Sequence, residues 1–275
     1  QYASILISED SNKSTNINEA LKYFKFSADL GNDKSMLQYA DLINNDSEKV
    51  KYYRMSIDNG NENAILKYGD YLSIDRSLSK MKVEDIPYLK KAVDLGHPEA
   101  TFKYGCILLN GILIPANQKE GAKYIKMAVD KDVKDAYEIY ALILHKGDGV
   151  TRNTKEAIKY LELAISKGNV STAAFEYAEI LYKGDGVEED KKLAAKFYKM
   201  AGEHGNSEAL NKYGEMLKYG DGIDMDKEEG EKYIKMAVDN EEQITKNIQF
   251  VSNMLELLFP GSKEVMNEKF PGLFE

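Results

Sequence analysis

Six tyrosines recur along this chain at an almost fixed interval, and that interval restricts the possible folds more than any other feature. They are Tyr39, Tyr68, Tyr104, Tyr140, Tyr177 and Tyr213, spaced 29, 36, 36, 37 and 36 residues apart. A small residue follows each one: Ala40, Gly69, Gly105, Ala141, Ala178, Gly214. Another stands four positions before: Ser35, Ala64, Ala100, Ala136, Ala173, Ala209. In the last four periods a leucine comes four positions after, at Leu108, Leu144, Leu181 and Leu217. Positions i, i+4, i+5 and i+8 share one face of an α-helix, so each period holds a helix A with a small-residue stripe. Self-similarity at this period implies stacked repeats, in which no single unit can bury its apolar face alone.

A second helix, B, follows in each period. Its stripe runs from a small residue (Ala20, Gly121, Ala157, Ala194, Gly230) to an aromatic three later (Tyr23, Tyr124, Tyr160, Phe197, Tyr233). Four further on stands Ser27, Ala128, Ala164, Ala201 or Ala237. Many units then close on a glycine (Gly31, Gly60, Gly96, Gly168, Gly205), the residue that most cheaply adopts the left-handed turn ending a helix. Between A and B lie Gly147-Asp148-Gly149-Val150, Gly184-Asp185-Gly186-Val187 and Gly220-Asp221-Gly222-Ile223. Four residues after each second glycine come Asn153, Asp190 and Asp226, with Asn117 and Asn16 in register elsewhere, and Asn or Asp there should cap helix B. The paired glycines and aspartate suggest a calcium or phosphate loop. However, "DGIDMDKEEGE" lacks acids at calcium-loop positions 1, 3 and 5 with a glutamate at 12. The corners read as tight turns, with Val150, Val187 and Ile223 plugging the space beneath.

The stretches "LILHKGDGVTRNTKEAIKYLELAISKGN" and "EILYKGDGVEEDKKLAAKFYKMAGEHGN" resemble the Sel1-like repeat family, relatives of the tetratricopeptide repeat. The resemblance implies an all-α, right-handed α-solenoid of about seven helix-turn-helix repeats over residues 2–240. Residues 241–275 are expected to form a C-terminal capping helix and tail, with the helix over Ile244 to Phe259. Three corners depart from the pattern. Asp33 to Asn61 has lost the glycine loop, "SIDRSLSKMKVEDIP" replaces it in the third unit, and "NGILIPAN" keeps one glycine in the fourth. The tail repeats Phe-Pro-Gly at 259–261 and 270–272, and Phe270, Leu273 and Phe274 are expected either to fold back on the last unit or to dock a partner. The chain opens at Gln1 in what reads as mid-helix sequence, which suggests a fragment of a longer protein.

Charge narrows the functional classes. A formal charge of −9 argues against binding the DNA backbone or an anionic membrane, since either needs basic surface. Cys106 is the only cysteine, so a disulfide within the chain and a thiolate zinc cluster are both excluded. His97, His145 and His204 have no metal-ligand spacing. No apolar run reaches the roughly 18 residues of a membrane span. The single cysteine and the lack of a signal peptide point to a cytoplasmic setting. No nucleophile–base order is visible, so a non-catalytic role without cofactor or metal is expected, and the resemblance implies an adaptor.

In related solenoids helix A lines the concave side, which implies a binding face built from the positions just before and two after each repeat tyrosine. The candidate residues are Lys67, Asp70, Lys103, Cys106, Ile139, Leu142, Glu176, Glu179, Lys212 and Glu215, with Gln38 and Asp41 in the same register. Acids toward the ends and apolar Cys106, Ile139 and Leu142 at the middle suit a basic amphipathic peptide or helix. Two roles fit: a protein-interaction scaffold, or the regulatory or docking arm of a larger enzyme such as a kinase. Membership of a larger assembly is a third.

Overall fold

The computed structural model describes residue 3, residues 13–74 and residues 81–258. These residues contain thirteen α-helices, one 3-10 turn at Val83–Asp85 and no strand. The helices are α1 (Lys13–Asp29), α2 (Asp33–Leu42), α3 (Asp46–Asp58), α4 (Glu62–Ile74), α5 (Ile86–Asp94), α6 (Pro98–Asn110) and α7 (Gln118–Asp130). There follow α8 (Lys134–Lys146), α9 (Thr154–Ser166), α10 (Val170–Lys183), α11 (Lys191–Glu203), α12 (Ser207–Tyr219) and α13 (Lys227–Leu258). Even-numbered helices carry the repeat tyrosine and are helix A; odd-numbered ones are helix B. The chain divides into two compact units, Gln1–Ala136 with Asp148–Thr151, and Tyr137–Gly147 with Arg152–Glu275.

In both units the small-residue stripe does what its spacing requires. Ala40, Ala64, Ala100, Ala141, Ala173, Ala178 and Ala209 are fully buried. A Cβ added at Gly105 would stand 2.8 Å from Ile125 Cδ1 of the following B helix, and one at Gly214 would stand 2.7 Å from the Gly230 carbonyl oxygen. Each A-helix tyrosine meets the B-helix aromatic of its own repeat. The centroids of Tyr104 and Tyr124 are 5.0 Å apart, those of Tyr140 and Tyr160 4.9 Å, and those of Tyr213 and Tyr233 4.9 Å, all edge to face. That geometry puts a positive ring edge on a negative ring face, adding about 0.5–1.5 kcal/mol per pair beyond burial. Tyr39–Tyr52 and Tyr68–Tyr88 repeat the arrangement in the two units whose corners are irregular.

The loops close as helix caps. Asn117, Asn153, Asp190 and Asp226 each accept a hydrogen bond from the backbone N–H three residues on, satisfying one orphan donor of helix B. Asn16 does not match its expected register, because it lies within α1 instead of ahead of it. Asn32, Asn61 and Asn206 cap the A helices in the same way, and His97 Nδ1 does so for α6. The second glycine of each corner has a further task, an approach to the start of the preceding B helix. A Cβ on Gly149 would lie 2.4 Å from the Gln118 carbonyl carbon, one on Gly186 2.4 Å from Thr154 Oγ1, and one on Gly222 2.2 Å from Lys191 Cβ.

The irregular corners are solved individually. In the second repeat α2 is cut to 10 residues, and Asn45 caps α3 directly. In the fourth, Leu113 holds φ +72° where the three regular corners have Gly149, Gly186 and Gly222. In the third, the 3-10 turn buries Asp85, which pairs with Arg54 and accepts from the Tyr68 hydroxyl, while its second oxygen accepts from the Lys82 N–H at 2.8 Å. Arg54 also lies 5.4 Å from the Tyr88 ring centre, so the buried charge is enclosed by opposite charge and aromatic rings.

α13 runs without a break from Lys227 to Leu258, so the boundary expected at 240/241 falls inside one helix. Ile244, Phe250, Val251 and Met254 are exposed on it. The repeated Phe-Pro-Gly tail lies outside the described residues. Among those residues no helix is long and apolar enough to cross a membrane.

Candidate interaction face

The ten residues expected on the helix A face divide between the two units, four in the first and six in the second. In the first unit, Lys67 and Asp70 on α4 are exposed. The Asp70 carboxylate lies 3.0 Å from His97 Nε2. Because His97 Nδ1 accepts the Ala100 N–H, Nε2 is the nitrogen left to carry a proton toward Asp70. On α6, Lys103 is buried and Cys106 half-buried. Burial pushes the Cys106 thiol up to about 11, so it is not poised as a thiolate nucleophile.

In the second unit, Ile139 and Leu142 on α8 are half-buried, as are Glu176 and Glu179 on α10 and Lys212 on α12, while Glu215 is exposed. Thr172 Oγ1 donates to Glu138 Oε2 at 2.7 Å, joining α8 and α10 across this face. Glu179 is already engaged. Burial alone would raise its carboxyl, but hydrogen bonds from Lys183 and the Tyr198 hydroxyl outweigh that and hold it below the ordinary range. Glu176 differs. Burial pushes its carboxyl up, Glu138 and Glu179 add to the effect, and Lys146 and Lys183 only partly counter it. Among the described residues its carboxylate has no hydrogen bond or ion pair, and the charges of Lys146 and Lys183 offset its desolvation only in part.

In two repeats the acid two after the repeat tyrosine is held by a tyrosine of helix B, which sequence reading missed: Tyr53 donates to Asp41 at 2.6 Å, and Tyr198 to Glu179 at 2.5 Å. Part of the apparent charge pattern on this face is therefore intramolecular.

Two of the three corner aspartates are spoken for as well. Asp185 pairs with Arg152 and lies 3.4 Å from His145 Nε2. Asp221 accepts from Lys191 at 2.8 Å and from the Tyr182 hydroxyl at 2.6 Å, and these two hydrogen bonds hold its carboxyl below the ordinary range. Each pairs with basic groups of the preceding repeat, and Asp221 with a hydroxyl there as well. Among the described residues no group of three or more His, Cys, Asp or Glu side chains could hold a metal ion.

Stacked helix pairs, capped alike and joined by glycine corners, define the class as an α-helical repeat protein of the tetratricopeptide-related kind. The Sel1 repeat family model matches residues 10–32, 98–133, 134–169, 171–206 and 207–241, together more than half of the chain. The chain belongs to the Sel1 repeat family. The model passes over residues 33–97, yet α2–α5 there form helix pairs of the same kind. Among solved structures, a protective antigen of uropathogenic Escherichia coli with an SLR fold is similar at a TM-score of 0.64 and 19% identity. That match covers 88% of this chain and 53% of the antigen, so the chain spans about half of its length. A Sel1 repeat protein from Oxalobacter formigenes is similar at a TM-score of 0.56 and 23% identity, covering 81% of this chain and 94% of that one. Identities this low establish the shared fold. No curated protein matches the sequence. As a family, Sel1 repeats serve protein–protein interaction, and this chain has the architecture of such a module.

Proposed function

We propose that the chain is a non-catalytic adaptor whose second unit holds a basic amphipathic peptide or helix along α8, α10 and α12. The observation that carries this reading is Glu176, a half-buried carboxylate raised by desolvation that has no hydrogen bond or ion pair among the described residues. A charge kept in that state costs stability unless something supplies a cation, and a ligand's lysine or arginine would do so. Ile139 and Leu142 supply the apolar ground for an anchor beside it, and Glu138, Lys212 and Glu215 border the same face. In the first unit Lys67, Asp70 and Cys106 occupy equivalent positions and would set selectivity there.

Selection of random peptides on the full chain tests this. Enriched sequences are expected to place an apolar anchor beside basic residues, and calorimetry should show Glu176→Gln and Leu142→Asp weakening their binding while circular dichroism stays unchanged. Enriched peptides that lack basic residues, or that bind Glu176→Gln as tightly as the parent, would overturn the assignment.

A further inference from the structure

The same open groove lies on helix B in both units. In the first unit Asn18, Glu19, Lys22, Tyr23 and Phe26 of α1 line one of about 590 Å³. In the second unit one of about 400 Å³ runs along α9 from its cap Asn153. Counted from the small residues Ala20 and Ala157, the five α1 positions coincide with Lys155, Glu156, Lys159, Tyr160 and Leu163, all of which line the α9 groove. At about 100° per residue they span about 140° of the helix, with Phe26 and Leu163 near the middle of that arc. Phe26 is 67% exposed and Leu163 43%, so each groove has an uncovered apolar centre inside a polar rim, the make-up of an interaction surface.

In the second unit the charges identify the occupant. Lys155, Lys159 and Leu163 recur one repeat on as Lys192, Lys196 and Met200 of α11, and α10 packs against both helices. All four lysines are exposed, and among the described residues none has an ion pair or a side-chain hydrogen bond. The acids of the same two helices are engaged. Glu156 accepts from Asn153 at 2.8 Å, Glu162 accepts from the Tyr177 hydroxyl at 3.3 Å, and Glu203 lies 4.0 Å from Lys199 Nζ. A chain of net charge −9 thus keeps a locally cationic surface around an apolar centre. The patch is small. A long polyanion or a charged bilayer would meet repulsion beyond it, whereas a short acidic segment would not.

We propose that α9 and α11 form a second docking surface, on helix B instead of helix A, for an acidic amphipathic segment of a partner protein. Its carboxylates meet Lys155, Lys159, Lys192 and Lys196, and its apolar side chains rest on Leu163 and Met200. Fluorescence anisotropy tests this with the full chain and a labelled helical peptide that has a leucine face and a glutamate face. Saturable binding that weakens as salt rises is expected. Lys159→Glu together with Lys196→Glu should weaken it roughly tenfold or more, and Leu163→Ser severalfold, with far-UV circular dichroism unchanged. Lys134→Glu together with Lys227→Glu makes the same change of charge on exposed lysines outside both helices and should shift Kd less than about twofold. A parent chain that does not bind the peptide overturns the proposal. So does equal weakening by the two double variants, which would reduce the effect to net charge, or a Leu163→Ser chain that binds like the parent. A single-stranded oligonucleotide or phosphatidylserine vesicles bound as tightly as the peptide would overturn it too, making the patch a general anion surface. If the charge reversals lose helical signal, Lys159→Gln together with Lys196→Gln replaces them, and binding equal to the parent's then refutes the site.

Discussion

Gly149→Ala separates two reasons for a glycine at the corner. The residue holds φ +75°, and an added Cβ would stand 2.4 Å from the Gln118 carbonyl carbon, 2.5 Å from its oxygen and 2.5 Å from the Lys119 nitrogen. All three atoms are backbone of the first turn of α7, so no side chain can swing away. Forcing a Cβ into the left-handed region costs about 1–2 kcal/mol. The overpacking adds about 1–3 kcal/mol, which brings the expected loss to roughly 2–5 kcal/mol. Gly60→Ala is the control in the same unit: φ is +86°, nothing lies within 4 Å, and only the dihedral cost of about 1–2 kcal/mol applies. Urea unfolding followed by circular dichroism measures both, and comparison is valid while the slopes agree. Equal losses in the two variants would show that conformation alone explains the corner glycine and that the close approach is immaterial.

Three other perturbations follow. Ala178 is fully buried in the small-residue stripe, so Ala178→Leu should cost about 1–3 kcal/mol by overpacking, and an unchanged melting temperature would place the stripe elsewhere. The Glu176 carboxyl is raised by burial, so its ionisation costs stability above the ordinary value of 4.5; Glu176→Gln should raise the melting temperature at neutral pH, with the gain fading below that value. Melting curves that coincide at neutral pH would show a carboxylate that is not desolvated. Asp221 is depressed by Lys191 and Tyr182, so it adds stability above its ordinary value of 3.8 that is lost as pH falls through the folded value. Lys191→Met should flatten that acid limb, and superimposable limbs would show the pair to be energetically idle.

Most of the fold was legible because repetition multiplies a weak local signal. A single Tyr-Ala pair says little, but six such pairs at one interval fix helix, face and partner together. The caps at Asn117, Asn153, Asp190 and Asp226 could be read for the same reason. The A-helix caps were equally present as the Gly-Asn pairs 31–32, 60–61 and 205–206, where the glycine drew attention from its neighbour. What escaped was what occurs once. Asp85 sits in a corner with no counterpart, and nothing local announces that Arg54, thirty-one residues back, will close over it. The interaction face was half legible: its positions could be counted off, but exposure depends on the opposing helix. Lys103 was expected to be open and is buried, and Glu179 was expected to face a ligand and instead serves Tyr198. The second role of the corner glycines was invisible for the same reason, since it depends on the preceding repeat.

That backward reach gives the stack a polarity. The second glycine of each regular corner reaches the start of the B helix before it, and Asp185 and Asp221 pair with basic side chains of that same preceding repeat. The last two regular corners therefore present the same plug to the same kind of socket. Loss of residues 171–206 as a block would bring Gly222 toward Thr154 and Asp221 toward Arg152, the partners that Gly186 and Asp185 have now. Loss of any fraction of that block would leave plug and socket out of phase. A gene encoding such a chain can thus be lengthened or shortened by whole periods with these corner contacts kept, so the number of stacked helix pairs changes in steps.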